Sequence, residues 1–423
     1  MVDVLVIGAG AAGCIAAIKA AEAGASVAVV EKNARIGRKL MITGKGRCNI
    51  TNYKIWSEFS QHLHGKPSFF KPAFHNFSNV DTVAFFESLG VETLLTRDDR
   101  VFPASMSAAT VVDALANQMD RLGVRLLSGC DVSKVTRLQD GSYSTSFVKE
   151  TGGKFNLESE HSRSVIVATG GLSYPATGST GAGYEIARSF GHTIKPTFPA
   201  LTALVPDHYD TRLVGVELIN VTVTLSVGRD VVACEFGDLQ FTDGGIEGPI
   251  GFKISRKAVW ALMNGDKVGV AIDIKPAVPL GKLQERVARE AEEAGIDRRS
   301  FDRKIRPFLR SFLPQALIDP FVDSVAGLSL DNLAANLKDW RFNITGYVGF
   351  RRAVVTAGGV NLEEIISKTM ASRNLPGLYF AGEVLDIDGD TGGYNLQFAF
   401  STGALAGKSA AEYALKQAEP KIS

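Results

Sequence analysis

The fold is decided by Val2–Ile7 (VDVLVI), which runs directly into residues 8–13 (GAGAAG). A run of small residues follows at 14–23, and a second apolar run at 26–30 ends at Glu31. This order predicts a strand, a tight turn, a helix and a second strand. The first glycine permits the turn, the second lets a pyrophosphate approach the backbone, and the third lets helix and strand pack closely. The sequence therefore predicts a dinucleotide-binding unit.

Glu31 indicates which dinucleotides fit. A carboxylate at the end of the second strand accepts hydrogen bonds from an adenosine ribose and repels a 2′-phosphate, so a non-phosphorylated dinucleotide is favoured. The unpaired N–H groups at the helix N-terminus attract the phosphates. The predicted cofactor contacts of this unit are Gly8, Gly10, Ala11, Ala12, Gly13, Glu31 and Lys32.

The composition of the chain excludes several classes of protein. The 423 residues include 46 basic and 45 acidic side chains, so the charge balance indicates no polyanionic partner. The four cysteines lie far apart, without CxxC spacing or a His/Cys cluster, which argues against a metal site and a disulfide framework and fits a reducing cytosol. No apolar run is long enough for a membrane span. We expect a cytoplasmic protein of two or three domains that is not membrane-bound.

The pattern along the chain predicts an α/β fold with an insertion. Alternating apolar residues at 221–227 and 231–236 indicate β-strands, and the segment 280–338 is helical and charged. We expect a discontinuous Rossmann-like FAD/NAD(P)-binding domain at 1–191 and 346–423. Its insert would comprise a β-barrel-like domain at 192–275 and a helical domain at 276–345.

Three further segments favour FAD over NAD. The glycine-rich, cationic run 37–49 could wrap a pyrophosphate, residues 168–171 (ATGG) end a buried strand, and residues 377–383 (GLYFAGE) run from a strand into a glycine and an acid. Each is ambiguous alone, because a charged surface loop or a glycine after a strand is common. The cofactor contacts predicted in and near these segments are Arg38, Lys39, Gly44, Gly46, Arg47, Cys48, Asn49, Ala168, Thr169, Gly170, Gly382, Glu383 and Asp386.

The same segments carry a family resemblance over nearly the whole chain. With GAGAAG, the run GRKLMITGKGRCNITN, the stretch ATGGLSYPATGSTGAGYEIA and the stretch FAGEVLDIDGDTGGYNLQFAFSTG, the chain resembles a family of bacterial FAD-containing oxidoreductases that includes aminoacetone oxidase and a bile-acid reductase. The resemblance implies a glutathione-reductase-like FAD domain with tightly bound FAD. It places Gly393, Tyr394, Asn395 and Gln397 beside the isoalloxazine and Val132 at the adenine.

Candidate catalytic residues are fewer. Tyr174, which follows a cofactor-approaching strand, is a candidate proton donor. Asn395 and Gln397 are candidates for hydrogen bonds to a reduced flavin, supported by the dipole of the last helix, although they could simply cap that helix. None of the six histidines lies in a telling motif. No second GxGxxG unit is present, so NADH or NADPH would serve only as a transient electron donor.

Three functions fit these observations. The first is an FAD-dependent oxidoreductase, an oxidase or a reductase, acting on an unidentified small molecule. The second is a flavoprotein with an RNA-binding or RNA-modifying role, suggested by six cations among residues 298–310, although near-neutral charge disfavours a nucleic-acid partner. The third is a plain NAD-dependent dehydrogenase. The sequence leaves the substrate, the electron acceptor and the oligomeric state open.

Overall fold

The computed structural model of the chain describes residues 1–151 and 154–418. The chain divides into two compact units: Met1–Phe198 with Val354–Ser423, and Pro199–Ala353. The first unit is therefore discontinuous in sequence, and the second is inserted into it.

The helices and strands have the following bounds. The α-helices are α1 (Ala11–Glu22), α2 (Trp56–Phe59), α3 (Pro67–Asn76), α4 (Asn79–Ser88), α5 (Ala108–Arg121), α6 (Ala182–Ser189), α7 (Gly248–Met263), α8 (Leu280–Glu293), α9 (Phe301–Phe308), α10 (Gln315–Ser324), α11 (Leu330–Lys338) and α12 (Tyr394–Ala418). The strands are β1 (Val2–Ile7), β2 (Val27–Glu31), β3 (Thr51–Asn52), β4 (Leu63–His64), β5 (Thr93–Leu95), β6 (Arg100–Pro103), β7 (Arg125–Ser128), β8 (Cys130–Arg137), β9 (Tyr143–Thr151), β10 (Lys154–Val167), β11 (Ile194–Ala200), β12 (Leu204–Pro206), β13 (Glu217–Val227), β14 (Asp230–Thr242), β15 (Gly245–Glu247), β16 (Val268–Asp273), β17 (Trp340–Tyr347), β18 (Val355–Val360), β19 (Ile365–Ile366), β20 (Ala371–Ser372), β21 (Leu378–Phe380) and β22 (Asp388–Gly389).

The core of the first unit is a sheet in the order β19-β20-β21-β10-β1-β2-β7. The strands β21, β10, β1, β2 and β7 of this sheet run parallel to one another. The strands β1 and β2 are almost wholly buried, as expected of parallel strands covered on both faces. The carboxyl ends of β1, β2, β10 and β21 therefore meet at one edge of the sheet, where ligands bind in folds of this class.

The helices α1 and α12 pack together through glycines of α12. A Cβ on Gly403 would lie 2.3 Å from the carbonyl oxygen of Ala12, and one on Gly407 would lie 2.2 Å from that of Ala16. A larger residue would force the two helices apart at either position. This close packing fixes the N-terminal half of α12 beside the first turns of α1.

The second unit contains a closed antiparallel barrel in the order β12-β15-β14-β13-β16-β17. Alternate side chains of β13, such as Val223 and Leu225, are fully buried, while Thr222 and Thr224 are partly exposed. The helices α8 to α11 belong to the same unit. The predicted fold class, a Rossmann-type α/β domain interrupted by a barrel and helices, is confirmed. The finer boundaries between barrel and helical domain stay a prediction.

Candidate active site

Three glycines shape the turn between β1 and α1. A Cβ on Gly8, whose φ is +96°, would lie 2.7 Å from the carbonyl oxygen of Ala168, and one on Gly13 would lie 1.8 Å from the carbonyl oxygen of Gly8. In contrast, a Cβ on Gly10 would meet no atom within 4 Å. Two glycines therefore permit close backbone packing, and the third opens a space directly at the N-cap of α1.

The N-terminus of α1 opens onto this space. Gly10 is the N-cap and makes no side-chain cap, and the first turn of α1 contains no acidic residue. Ala11 and Ala12 are the first two residues of the helix, whose leading N–H groups lack partners within the helix. The partial positive charge and free donors suit an anion such as a pyrophosphate.

Glu31 lies against the same turn. Its Oε2 accepts a hydrogen bond from the backbone N–H of Ala9 at 2.7 Å, and its Oε1 accepts from the backbone N–H of Asn33 at 2.8 Å and from its side-chain Nδ2 at 2.6 Å. Only 6% of the residue is exposed. These three hydrogen bonds thus hold the carboxylate in a fixed orientation beside the space at Gly10.

Lys32 and Val132 lie next to Glu31. The Nζ of Lys32 donates to Thr180 Oγ1 at 3.1 Å and lies 3.9 Å from Asp131 Oδ1, which precedes Val132 on β8. Val132 is half-buried and packs on the core. The structure therefore places Val132, the predicted adenine contact, near Glu31, the predicted ribose contact.

The glycine-rich run after β2 folds onto the turn. The N–H of Gly37 donates to the carbonyl oxygen of Ala9 at 2.8 Å. Positive φ angles occur at Gly44, Lys45, Gly46 and Cys48. Because the backbone turns repeatedly, its successive N–H groups point in different directions. The loop is exposed and cationic.

The side chains of this loop divide into paired and unpaired groups. Arg38 Nη1 donates to Asn33 Oδ1 at 3.0 Å, and Arg47 Nε donates to the carbonyl oxygen of Gly44 at 3.1 Å. Burial raises the pKa of the Cys48 thiol to about 11, so it is not a nucleophile. The buried Oδ1 of Asn49 has no hydrogen-bond partner among the described residues. A buried acceptor of this kind is satisfied by a ligand or water.

A second group of polar residues surrounds Glu383. Its Oε2 accepts from Lys39 Nζ at 2.7 Å, and its Oε1 accepts from Ser173 Oγ at 2.7 Å and from the N–H of Thr356 at 2.7 Å. Lys39 Nζ also donates to Ser173 Oγ at 2.6 Å. The sequence predicted Lys39 and Glu383 separately, and the structure joins them as an ion pair 344 residues apart.

Glycines bring this group to the α1 turn. A Cβ on Gly382 would lie 2.7 Å from the Cβ of Ala12. A Cβ on Gly170 would lie 2.8 Å from Ser179 Oγ and 4.0 Å from Glu383 Oε2. The segments with Ala168, Thr169, Gly170, Gly382 and Glu383 therefore converge on the N-terminal turn of α1. Asp386 lies one turn further, with its N–H donating to the carbonyl oxygen of Val360.

The side chains of Asn395 and Gln397 are bonded within the protein. Asn395 Oδ1 accepts from the N–H of Gly389, and its Nδ2 donates to the carbonyl oxygen of the same residue, both at 2.8 Å. The fully buried Gln397 accepts from Thr51 Oγ1 at 2.7 Å and donates to the Phe77 carbonyl oxygen and Ser401 Oγ. These amides hold the loop before α12 and the start of that helix.

Tyr174 is placed differently. It is half-buried, has a φ of +51° and precedes a short 3-10 helix. Its hydroxyl makes no hydrogen bond within the part of the chain that the structure describes. The hydroxyl is thus available for a ligand, as a candidate proton donor requires.

The turn before α12 lies on β3. A Cβ on Gly393, whose φ is +99°, would lie 2.4 Å from the carbonyl carbon of Thr51, so only glycine fits. Tyr394 follows and is 3% exposed, and its ring stacks on His62 with centroids 4.4 Å apart at 22°. The predicted residues Gly393 and Tyr394 are therefore adjacent to a histidine that the sequence did not single out.

His62 belongs to a cluster that sequence reasoning missed. Asp390 accepts hydrogen bonds from His62 Nδ1 and His64 Nε2, each at 3.0 Å. Burial would raise the pKa of Asp390, but the two imidazole hydrogen bonds outweigh it and lower the pKa to about 2. The sequence did offer one indication of this cluster. His62 and His64 are two residues apart, and in an extended segment such residues lie on the same side.

These features fit FAD. The space at Gly10 faces an uncapped helix N-terminus, and the fixed carboxylate of Glu31 lies beside it. The buried Oδ1 of Asn49 has no hydrogen-bond partner among the described residues. The segments that converge here come from opposite ends of the sequence.

The described residues form neither a metal-binding cluster nor a helix that could span a membrane. Within residues 1–151 and 154–418, no group of His, Cys, Asp and Glu side chains could hold a metal ion. In the same part of the chain, no helix is long and apolar enough to cross a membrane.

Two of the six cations in the basic segment 298–310 form ion pairs with aspartates. Arg306 forms ion pairs with Asp319 and Asp323 at 2.8 and 2.6 Å, and Arg298 pairs with Asp331 at 2.7 Å. Neighbouring aspartates thus neutralise cations that would otherwise face a polyanion.

Comparison with known proteins identifies the family. The chain matches the family model described as HI0933-like protein Rossmann domain over residues 2–409. The chain belongs to this family. It is 33% identical over 422 residues to the 3-dehydro-bile acid delta(4,6)-reductase of Clostridium scindens, covering 96% of this chain and 98% of that protein. The resemblance predicted from the sequence is confirmed, and this HI0933-like protein is a flavoprotein oxidoreductase.

Two other relatives of this HI0933-like protein have a different name. The ribosomal RNA dihydrouridine synthase of Haemophilus influenzae is 33% identical, covering 94% of this chain and 96% of that protein. The protein of the same name from Escherichia coli is 31% identical, covering 95% and 96%.

Solved structures share the fold at low identity. The 3-ketosteroid-delta4-(5alpha)-dehydrogenase of Rhodococcus jostii RHA1 is 15% identical with a TM-score of 0.51, covering 97% of this chain and 96% of that chain. The 3-ketosteroid delta1-dehydrogenase of Sterolibacterium denitrificans is 13% identical with a TM-score of 0.50, covering 97% and 99%. At these identities the likeness establishes the fold alone.

Proposed function

We propose that this protein binds FAD non-covalently and reduces a carbon–carbon double bond conjugated to a carbonyl group in a small molecule. The observation that carries the cofactor assignment is the open space at Gly10 before the uncapped N-terminus of α1. The reaction is supported by the name of the Clostridium scindens relative, a reductase of delta(4,6) double bonds in 3-dehydro bile acids.

We propose a binding site for each part of the cofactor. Gly10 and the N-terminus of α1 would hold the pyrophosphate, and Glu31 and Val132 would hold the adenosine. The Lys39–Glu383 pair and Asn49 would bind the ribityl chain. The turn before α12 would hold the isoalloxazine, and backbone N–H groups at the start of that helix would stabilise the negative charge of the reduced ring.

The chain's own residues have two tasks in this reaction. When bound, FAD supplies the hydride, and the protein supplies position, a proton and the exclusion of water. A polar donor must face the carbonyl, and a proton donor must face the α carbon. Tyr174 stays a candidate donor. For Asn395 and Gln397 we now propose supporting roles, because their side-chain amides are bonded to protein.

The electron donor follows from the same picture. With one dinucleotide unit, we propose that NADH or NADPH reduces the flavin by transient docking at its exposed face. A loose encounter of this kind predicts weak saturation and poor discrimination between the two nicotinamides.

The test is product analysis under anaerobic conditions. Purified yellow protein with NADH is incubated with 4-en-3-one and 4,6-dien-3-one steroids and with simple cyclic enones. The proposal expects a product heavier by two hydrogens, and acid release of unmodified FAD. A colourless protein would contradict the cofactor assignment. A yellow, NADH-reducible protein that leaves every enone unchanged would contradict the substrate class.

A second candidate is reduction of uracil in RNA. The observation that favours it is the name shared by the Haemophilus influenzae and Escherichia coli relatives. The uracil 5,6 double bond is also conjugated to a carbonyl, so the same chemistry applies. The pairing of Arg298 and Arg306 with aspartates weighs against it. Incubation with ribosomal RNA, followed by nucleoside analysis for dihydrouridine, distinguishes the two candidates.

A further inference from the structure

Two imidazoles share one carboxylate at the N-terminal end of α12. Strand β22 pairs with β4 so that Asp388 faces His64 and Gly389 faces Leu63. The N–H of Asp390 then donates to the carbonyl oxygen of His62 at 2.9 Å. The backbone pairing therefore holds Asp390 beside the segment that carries both rings, within reach of their side-chain hydrogen bonds.

The carboxylate also sets which ring nitrogens face outward. An ionised carboxylate only accepts hydrogen bonds, so His62 presents Nδ1–H and His64 presents Nε2–H to Asp390. This leaves His62 Nε2 and His64 Nδ1 for other partners. In the Ser-His-Asp arrangement a carboxylate orients an imidazole in the same way, so that its far nitrogen can transfer a proton.

The cluster lies at the turn proposed for the isoalloxazine. His62 stacks on Tyr394, the residue after Gly393, and Tyr394 packs edge-on against Phe59 with centroids 4.8 Å apart. About 30% of the His62 side chain is exposed, compared with 15% for Asp390. The ring is thus buried on its Tyr394 face and carboxylate edge, and open elsewhere.

We propose that His62, rather than Tyr174, is the proton donor of the reduction, and that Asp390 and His64 are its positioning residues. This inference rests on the function proposed above. The hydride adds to the β carbon, and the double-bond electron pair moves toward the α carbon and carbonyl. The N–H bond of the His62 imidazolium then breaks as a C–H bond forms at the α carbon. Solvent reprotonates His62, and a dihydronicotinamide replaces the two electrons.

The first test locates His62 without measuring turnover. Long-range proton–nitrogen NMR spectra of histidine-labelled protein are recorded with FAD bound and after its removal. The proposal expects the Nδ1–H tautomer at His62 when neutral, and signals of His62 and His64 that move on FAD binding. His208, whose side chain is 95% exposed, is the internal control and should not move. FAD binding that leaves the His62 signals in place overturns the proposal.

The second test separates the two half-reactions. In His62→Gln, we expect unchanged FAD content and flavin reduction by NADH within about twofold of wild type. Reoxidation of the reduced flavin by an enone should slow by about 10²- to 10⁴-fold, the usual contribution of a general acid. His208→Gln is the matched control. Added imidazole should restore part of the rate in His62→Gln, which a purely structural role would not allow.

The outcomes separate this inference from the proposed function. Equal slowing of both half-reactions, or lost FAD, would show that His62 supports cofactor binding and would overturn its role as acid. Wild-type reduced flavin that no enone reoxidises would instead remove the proposed reaction, and His62 would lose its assigned substrate with it.

Discussion

The substitution Gly10→Val separates cofactor binding from folding. A Cβ at Gly10 would meet no atom within 4 Å, and its φ of −81° and ψ of −166° suit any residue. The free energy of unfolding without FAD should therefore stay within about 0.5 kcal/mol of wild type. The branched side chain would instead fill the space assigned to the pyrophosphate.

The magnitude follows from linkage. At an FAD concentration of 100 times Kd, binding adds about 2.7 kcal/mol to the stability of wild type. We expect FAD affinity to fall at least about 100-fold in Gly10→Val, so most of this increment disappears. The assay is urea denaturation followed by circular dichroism, with and without FAD.

Two further variants complete the experiment. Gly281→Val introduces the same side chain at another glycine with no atom within 4 Å, and it should keep the full FAD increment. Gly13→Ala should lose stability even without FAD, because its Cβ would lie 1.8 Å from the carbonyl oxygen of Gly8. A Gly10→Val protein that stays yellow and gains the wild-type increment would refute the proposed pyrophosphate site.

Three other predictions concern stability. Burial would raise the pKa of Asp390, but its imidazole partners lower it to about 2. The ionised carboxylate therefore stabilises the fold above the unfolded pKa near 3.9, and this stabilisation is lost as pH falls toward 2. Asp390→Asn should lower the free energy of unfolding by about 2 kcal/mol at pH 7. In urea denaturation, the difference between wild type and variant should narrow below pH 4. Gln397→Ala should cost about 3 kcal/mol, since it leaves buried partners unpaired, whereas equal wild-type and variant midpoints would contradict this. In a double-mutant cycle, Lys39→Met and Glu383→Gln should couple by about 1 kcal/mol, and purely additive effects would show that the pair is not formed.

The dinucleotide unit could be predicted because its determinants are local. The glycines of GAGAAG must satisfy turn, approach and packing within six residues, and the apolar runs on either side are short and continuous. The residue at which the last helix begins was harder to predict from the sequence. Asn395 and Gln397 were considered as caps of this helix, whereas α12 begins at Tyr394 and contains both residues. The side chain of Asn395 bonds back to Gly389 and closes the loop before the helix.

The histidine cluster could not be predicted because its partners are far apart in sequence. Asp390 lies 328 residues from His62 and 326 from His64. Their meeting depends on the register of two strands, β4 and β22, of only two residues each. Such short strands carry too little periodicity to reveal pairing. The same holds for the Lys39–Glu383 pair, whose members were predicted singly.

In the proposed reaction, this protein uses bound FAD to reduce conjugated double bonds. The most direct measurement mixes anaerobically reduced protein with a 4-en-3-one steroid in a stopped-flow instrument and follows the visible absorbance of the flavin. We expect the yellow absorbance to return at a rate that rises with steroid concentration, with one saturated product formed per flavin. Flavin that stays bleached with every conjugated substrate, yet reoxidises in oxygen, would contradict it.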